Sequence, residues 1–73
     1  MKRENVMYGE RIKELRLEQG LTQSELAKAM NTTQKSISKY EREFLDLSTD
    51  MIIALCKYFN VSADYLLGLT DSY

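Results

Sequence analysis

The sequence predicts an all-α fold, a compact bundle of five short helices, and three observations carry that prediction. Proline is absent, and the three glycines are confined to Gly9, Gly20 and Gly68. Apolar residues recur at three- and four-residue spacing, with no convincing two-residue alternation of the kind a strand needs. Ser or Thr stands ahead of the helical stretches at Thr22, Thr33, Ser48 and Ser62, where a hydroxyl can cap free backbone N–H groups. A chain of 73 residues, 44% hydrophobic and 29% charged, has the balance of one small folded domain.

The first helix is expected over residues 8–19, where Tyr8, Ile12, Leu15 and Gln19 share one stripe and Gly20 supplies the stop. Thr22 caps the second, and Glu25 three residues later completes a capping box. Its stripe is Leu26, Ala27 and Met30, and Asn31, tolerant of the left-handed conformation, ends it. Thr33 caps a third helix over residues 34–42. Ser48 opens a fourth, with Ile52, Leu55, Cys56 and Phe59 on one side and Asn60 as its stop. Ser62 opens a short fifth, containing Tyr65, Leu66 and Leu67 and ended by Gly68. The loop 43–47 is the least legible piece, because it holds Phe44, Leu45 and Leu47 without turn residues. The expected core is Tyr8, Ile12, Leu15, Leu21, Leu26, Met30, Ile37, Ile52, Leu55, Phe59, Val61 and Leu66, with Cys56 among them.

Composition narrows the function. No apolar run approaches the roughly 18 residues of a membrane span, and no signal-peptide pattern opens the chain. One cysteine and no histidine leave no internal disulfide, no common zinc-ligand set and no usual nucleophile–base pair. A Ser–Lys or carboxylate enzyme survives that test, but a chain this short has little room to enclose a substrate. The expectation is a cytoplasmic protein without cofactor or metal, and not an enzyme. The formal net charge of −1 hides an asymmetry: residues 1–42 carry +3 and residues 43–73 carry −4. A polyanion would favour the first half, although ordinary surface-charge scatter explains the split as well.

The third helix carries the sharpest signal. At about 100° per residue, Ile37 and Tyr40 fall on one side, with Glu41 beside them. Lys35, Lys39 and Arg42 cluster within about 60° on the opposite side, flanked by Gln34, Ser36 and Ser38. Amide, hydroxyl and cationic groups on a helix suit the major groove, which admits a helix and offers donors and acceptors. Alone, such a face is more often merely solvated. The arrangement changes that balance: a capped helix, a short turn near Asn31–Thr33 and a polar-faced helix form a helix-turn-helix layout. Ala27 permits close approach of the two helices, and alanine is also the best helix former.

The stretch ERIKELRLEQGLTQSELAKAMNTTQKSISKYE resembles the XRE family of helix-turn-helix proteins, which includes phage repressors and Cro-type regulators. STDMIIALCKYFNVSADYLLG is similar to that family's fourth and fifth helices. The pieces LTQxELA, IxKYE and VSxDYLLG, in this order and at these separations, are more specific than any one alone. The resemblance implies a phage-repressor-like DNA-binding domain over residues 8–68, with 1–7 as an N-terminal extension and 69–73 as a tail. It implies binding to double-stranded DNA, usually as a symmetric homodimer on an inverted-repeat operator. By position, Gln34, Lys35, Ser36 and Lys39 fall where members touch base edges. Gln23 matches a glutamine that binds phosphate and buttresses the recognition helix. Thr22, Thr33 and Arg42 are further phosphate candidates, the threonines being equally well explained as caps.

Arg42 replaces the family's common asparagine, Glu43 replaces the following glycine, and the usual loop proline is missing. On that pattern helix three is expected to run longer, and Glu43 to repel a nearby DNA backbone. Arg16 and Glu41 match a family ion pair linking helix one to the end of helix three. Leu17, Phe44 and Leu45 lie off the stripes, as a partner surface or as cover for the core.

Two functions from different classes follow. The first is a sequence-specific transcription regulator, a repressor in the family's usual sense. The second is an antitoxin-like or anti-repressor module that engages an unidentified protein partner and binds DNA only in that complex.

Overall fold

Among the described residues, each helix is followed within two positions of its last residue by one with positive φ. A computed structural model describes residues 7–72. It places α1 at Tyr8–Glu18, α2 at Gln23–Ala29, α3 at Gln34–Glu41, α4 at Thr49–Phe59 and α5 at Ala63–Leu66. No strand occurs among the described residues. The left-handed stops are Gly20 (φ 69°), Asn31 (57°), Glu43 (62°), Asn60 (58°) and Gly68 (82°). Four of these were expected from glycine or asparagine. Glu43 was not, because a side chain there costs about 1–2 kcal/mol that glycine avoids.

The hydroxyl caps form as expected. Thr22 Oγ1 accepts the Glu25 N–H at 3.0 Å while the Glu25 carboxylate accepts the Thr22 N–H at 2.8 Å, a closed capping box. Ser48 and Ser62 cap α4 and α5 by accepting from Met51 and Tyr65 at 3.1 and 3.0 Å. Only α1 lacks a local cap, since Met7 offers no acceptor. The Glu43 carboxylate fills that role from across the fold, accepting the Gly9 N–H at 2.8 Å. A carboxylate at a helix N-terminus also complements the helix dipole.

One fully buried side chain from each helix meets at the centre: Ile12, Leu26, Ile37, Leu55 and Leu66. Each gains about 1.5–3 kcal/mol from leaving water. Leu15, Ala27, Tyr40, Phe59, Val61 and Tyr65 complete the buried hydrophobic core among the described residues. α2 and α1 both pack on α3, while α5 packs on α4 and α1. The recognition candidate is thus wedged between two supports.

Several expectations need correction. Gln19 is exposed and follows α1 as its C-cap, because the chain is already turning into Gly20. Tyr8, Leu21, Met30, Ile52 and Cys56 flank the core half-buried. Burial still pushes the Cys56 thiol pKa up, away from the reactive range. Leu67 lies past α5 and is exposed. Most informatively, α3 does not run longer. It stops at Glu41, with the Glu43 N–H bonded to the Tyr40 carbonyl at 3.1 Å and the Phe44 N–H to the Lys39 carbonyl at 2.8 Å.

Candidate nucleic-acid interface

Thr33 sets the start of α3 by accepting the Ser36 N–H at 3.1 Å, and Ile37 and Tyr40 anchor the helix inward. The opposite face is left to solvent. Gln34, Lys35 and Arg42 are exposed, and Ser36, Ser38 and Lys39 are half-buried. Before α3, the Thr32 N–H reaches back to the Ala27 carbonyl at 2.9 Å, fixing the angle between α2 and α3.

A hydrogen-bonded chain then runs from the interior to that face. Arg16 on α1 grips Glu41, the last residue of α3, by two bonds: Nε to Oε2 at 2.6 Å and Nη2 to Oε1 at 3.1 Å. The two side chains are 9% and 4% exposed, so the pair is shielded rather than superficial. Arg16 Nη1 also holds the Leu21 carbonyl at 2.8 Å, tying down the α1–α2 connection. Gln23 Nε2 donates to Glu41 Oε1 at 3.0 Å, and Gln34 Nε2 donates to Gln23 Oε1 at 2.6 Å. A carboxylate only accepts, so Gln23 must turn its amide nitrogen inward and its oxygen toward Gln34. That oxygen in turn orients the Gln34 amide. Gln34 keeps Oε1 and its second Nε2 hydrogen for an outside partner.

The two threonines differ. Thr22 uses its oxygen and its N–H in the capping box and retains its hydroxyl hydrogen. Thr33 spends its hydroxyl hydrogen on Ser36 Oγ at 3.0 Å, which leaves the Ser36 hydroxyl hydrogen as the outward donor. Arg42 continues the basic stripe, its guanidinium carbon 4.8 Å from the Phe44 ring centroid. Leu17, Phe44 and Leu45 are all exposed, the Leu45 carbonyl accepting from the Tyr8 hydroxyl at 3.1 Å. Burial, then the charges of Glu43 and Asp46, raise the pKa of that Tyr8 hydroxyl and keep it a donor. In the acidic half, Asp50 and Asp64 occupy the first turns of α4 and α5, where helix dipoles favour them.

Three features escaped the sequence. Glu43 turns its carboxylate to the α1 N-terminus, where it accepts the Gly9 N–H and sets its charge against the helix dipole. Gln23 is held by the Glu41 carboxylate, a contact that its position in the sequence does not show. Arg11 is buried, with its guanidinium 3.9 Å from the Tyr65 ring centroid and Nη2 paired to Asp71 at 3.0 Å. Burial opposes its charge, but Tyr65 and Asp71 outweigh that and hold its pKa up. The signal for Arg11 was present: it shares the stripe of Tyr8 and Leu15 at spacings of three and four. Among the described residues no His, Cys, Asp and Glu cluster could hold a metal, and no helix is long and apolar enough to cross a membrane.

The helix-turn-helix family model HTH_3 matches residues 12–66, most of the chain. The chain is similar to the HTH-type transcriptional regulator ImmR of Bacillus subtilis (strain 168), at 45% identity over 60 residues, 82% of this chain and 47% of ImmR. It is also similar to the antitoxin PezA of Streptococcus pneumoniae serotype 4, at 39% identity over 62 residues, 85% of this chain and 39% of PezA. It therefore spans less than half the length of these two relatives. Among solved structures, the P22 c2 repressor in complex with a synthetic operator superposes with a TM-score of 0.81 at 32% identity, covering 86% of this chain and 96% of that one. Family match, relatives and fold agree with the capped α2–α3 pair: the chain belongs to the XRE-type helix-turn-helix family.

Proposed function

We propose that this chain is a sequence-specific, double-stranded DNA-binding transcription regulator, a repressor that reads the major groove with α3. One observation carries the reading: the exposed face of α3 begins with a glutamine, Gln34, whose amide is oriented from inside the fold. Gln34 presents one acceptor and one donor, the pair that adenine meets with N6–H and N7. Lys35, Ser36 and Lys39 extend base readout along the helix. Gln23 (through the Nε2 hydrogen not given to Glu41), Thr22 and Arg42 bind phosphate and set register, and Thr33, with its hydrogen committed to Ser36, joins them only by exchanging that bond.

The binding unit is residues 8–68, with 69–73 as a tail. An extension over 1–7 completes the assignment, and residues 1–6 and 73 lie outside the described residues. The chain acts as a homodimer on an inverted repeat, its two recognition helices about one helical turn, or roughly 34 Å, apart. It works in the cytoplasm and catalyses no reaction. Similarity to an antitoxin favours a second reading, in which DNA binding needs a protein partner.

Selection of bound duplexes from a random pool, with wild type and Gln34→Ala side by side, tests both. Wild type is expected to recover an inverted repeat with an adenine in each half-site. Gln34→Ala should relax that adenine by about 1–3 kcal/mol and leave the other positions intact. Failure of wild type alone to enrich any sequence rejects the first reading, and enrichment only after adding a partner supports the second.

A further inference from the structure

At the C-terminal end of α3, two neighbouring residues form an arrangement that the core does not require. Phe44 is 71% exposed, too open to serve as core cover. Its ring nonetheless has a defined companion, the Arg42 guanidinium, 4.8 Å from centroid to central carbon. The main chain holds the two side by side. Glu43 turns left-handed at φ 62°, and the Phe44 N–H bonds the Lys39 carbonyl at 2.8 Å, so residue 44 folds back beside residue 42.

Among the described residues no carboxylate pairs directly with Arg42. The adjacent Glu43 carboxylate is committed to the Gly9 N–H at 2.8 Å, and the salt bridges among the described residues are Arg11–Asp71 and Arg16–Glu41. Arg42 is thus a cation without a carboxylate partner, and it prolongs the line of Lys35 and Lys39 on the exposed face of α3. A guanidinium stacked on an aromatic face loses rotamer freedom but keeps its edge N–H donors, which match a phosphate bidentately.

We infer that Arg42 and Phe44 form a preassembled phosphate clamp, in which Phe44 is a positioning residue holding the Arg42 guanidinium for one phosphate beside the bases read by α3. This rests on the DNA-binding reading above and adds a residue that touches no base. The strained left-handed glutamate then has a purpose at the interface as well as at the α1 cap.

The test measures binding of random-sequence double-stranded DNA over a salt series, because a phosphate clamp is indifferent to sequence. The variants are Arg42→Ala, Phe44→Ala, their double, Phe44→Tyr and Phe44→Leu, each checked by thermal unfolding. Arg42→Ala should flatten the salt slope by roughly one. Phe44→Ala should weaken binding roughly two- to five-fold, the range of an exposed cation–π contact. The double variant should bind no more weakly than Arg42→Ala, Phe44→Tyr should match wild type, and Phe44→Leu should behave as Phe44→Ala. An undiminished Phe44→Ala effect in the Arg42→Ala background overturns the clamp, as does an unchanged slope in Arg42→Ala or wild-type binding by Phe44→Leu. Those results leave the DNA-binding reading standing. Wild type that binds neither random nor selected duplexes removes both.

Discussion

Glu41 shows how much one carboxylate can organise when it is nearly out of water. Its two oxygens receive Arg16 Nε and Nη2 and Gln23 Nε2, so three elements converge on one side chain. Removing it strands a buried guanidinium, a loss of about 3–5 kcal/mol for such pairs. That is a large share of the roughly 5–15 kcal/mol stability usual for a small domain. Glu41→Ala is therefore expected to lower the urea midpoint strongly. At temperatures where it remains folded, it should also weaken operator binding and blur the adenine preference, because Gln23 loses the acceptor that fixes its amide. An unchanged midpoint with unchanged affinity would remove the brace from the mechanism. The partners Arg16 and Glu41 were legible in the sequence through the family resemblance. The link onward to Gln34 was not, since amide orientation depends on which group lies across an inter-helix gap.

Helix boundaries followed local chemistry wherever the stop residue was glycine or asparagine, and failed where a tertiary contact replaced it. Glu43 is the instructive case. Its left-handed backbone closes α3, and its carboxylate caps α1, so a residue that reads as a helix continuer serves two helix ends. The two ends are close enough that Gly9 is required. A Cβ there would lie 2.8 Å from the Tyr40 carbonyl oxygen and nearer still to that of Glu41. Gly9→Ala, which normally favours a helix, is expected here to cost about 1–3 kcal/mol by overpacking. Thermal unfolding followed by circular dichroism measures it, and a variant as stable as wild type would contradict the close approach.

Across the whole molecule, the five central side chains are contributed one per helix, so no helix can be removed without opening the core. The α1–α5 seam is closed differently, by Arg11 lying on Tyr65 and reaching Asp71. The two partners of that ion pair are unequal: the Arg11 side chain is 6% exposed and that of Asp71 is 99% exposed. Arg11→Ala is expected to destabilise the domain by roughly 1–3 kcal/mol, mainly through lost packing on Tyr65. Asp71→Ala should move the unfolding midpoint little, because water readily replaces an exposed carboxylate. Equal effects from the two variants would mean that the ion pair, rather than the stack, holds the seam.

Periodicity, hydroxyl caps and left-handed stops determined five helices, their order and the outward basic face of α3, because those signals act within a few residues of chain. Approach between helices decided the rest. It turned Glu43 inward to cap α1, buried Arg11 beneath the C-terminal segment, and aligned the Arg16–Glu41–Gln23–Gln34 chain. Arg11, Arg16, Gln23, Glu41 and Glu43 are all drawn partly or wholly out of water, and whether each finds a partner depends on neighbours remote in sequence that only packing brings within bonding distance.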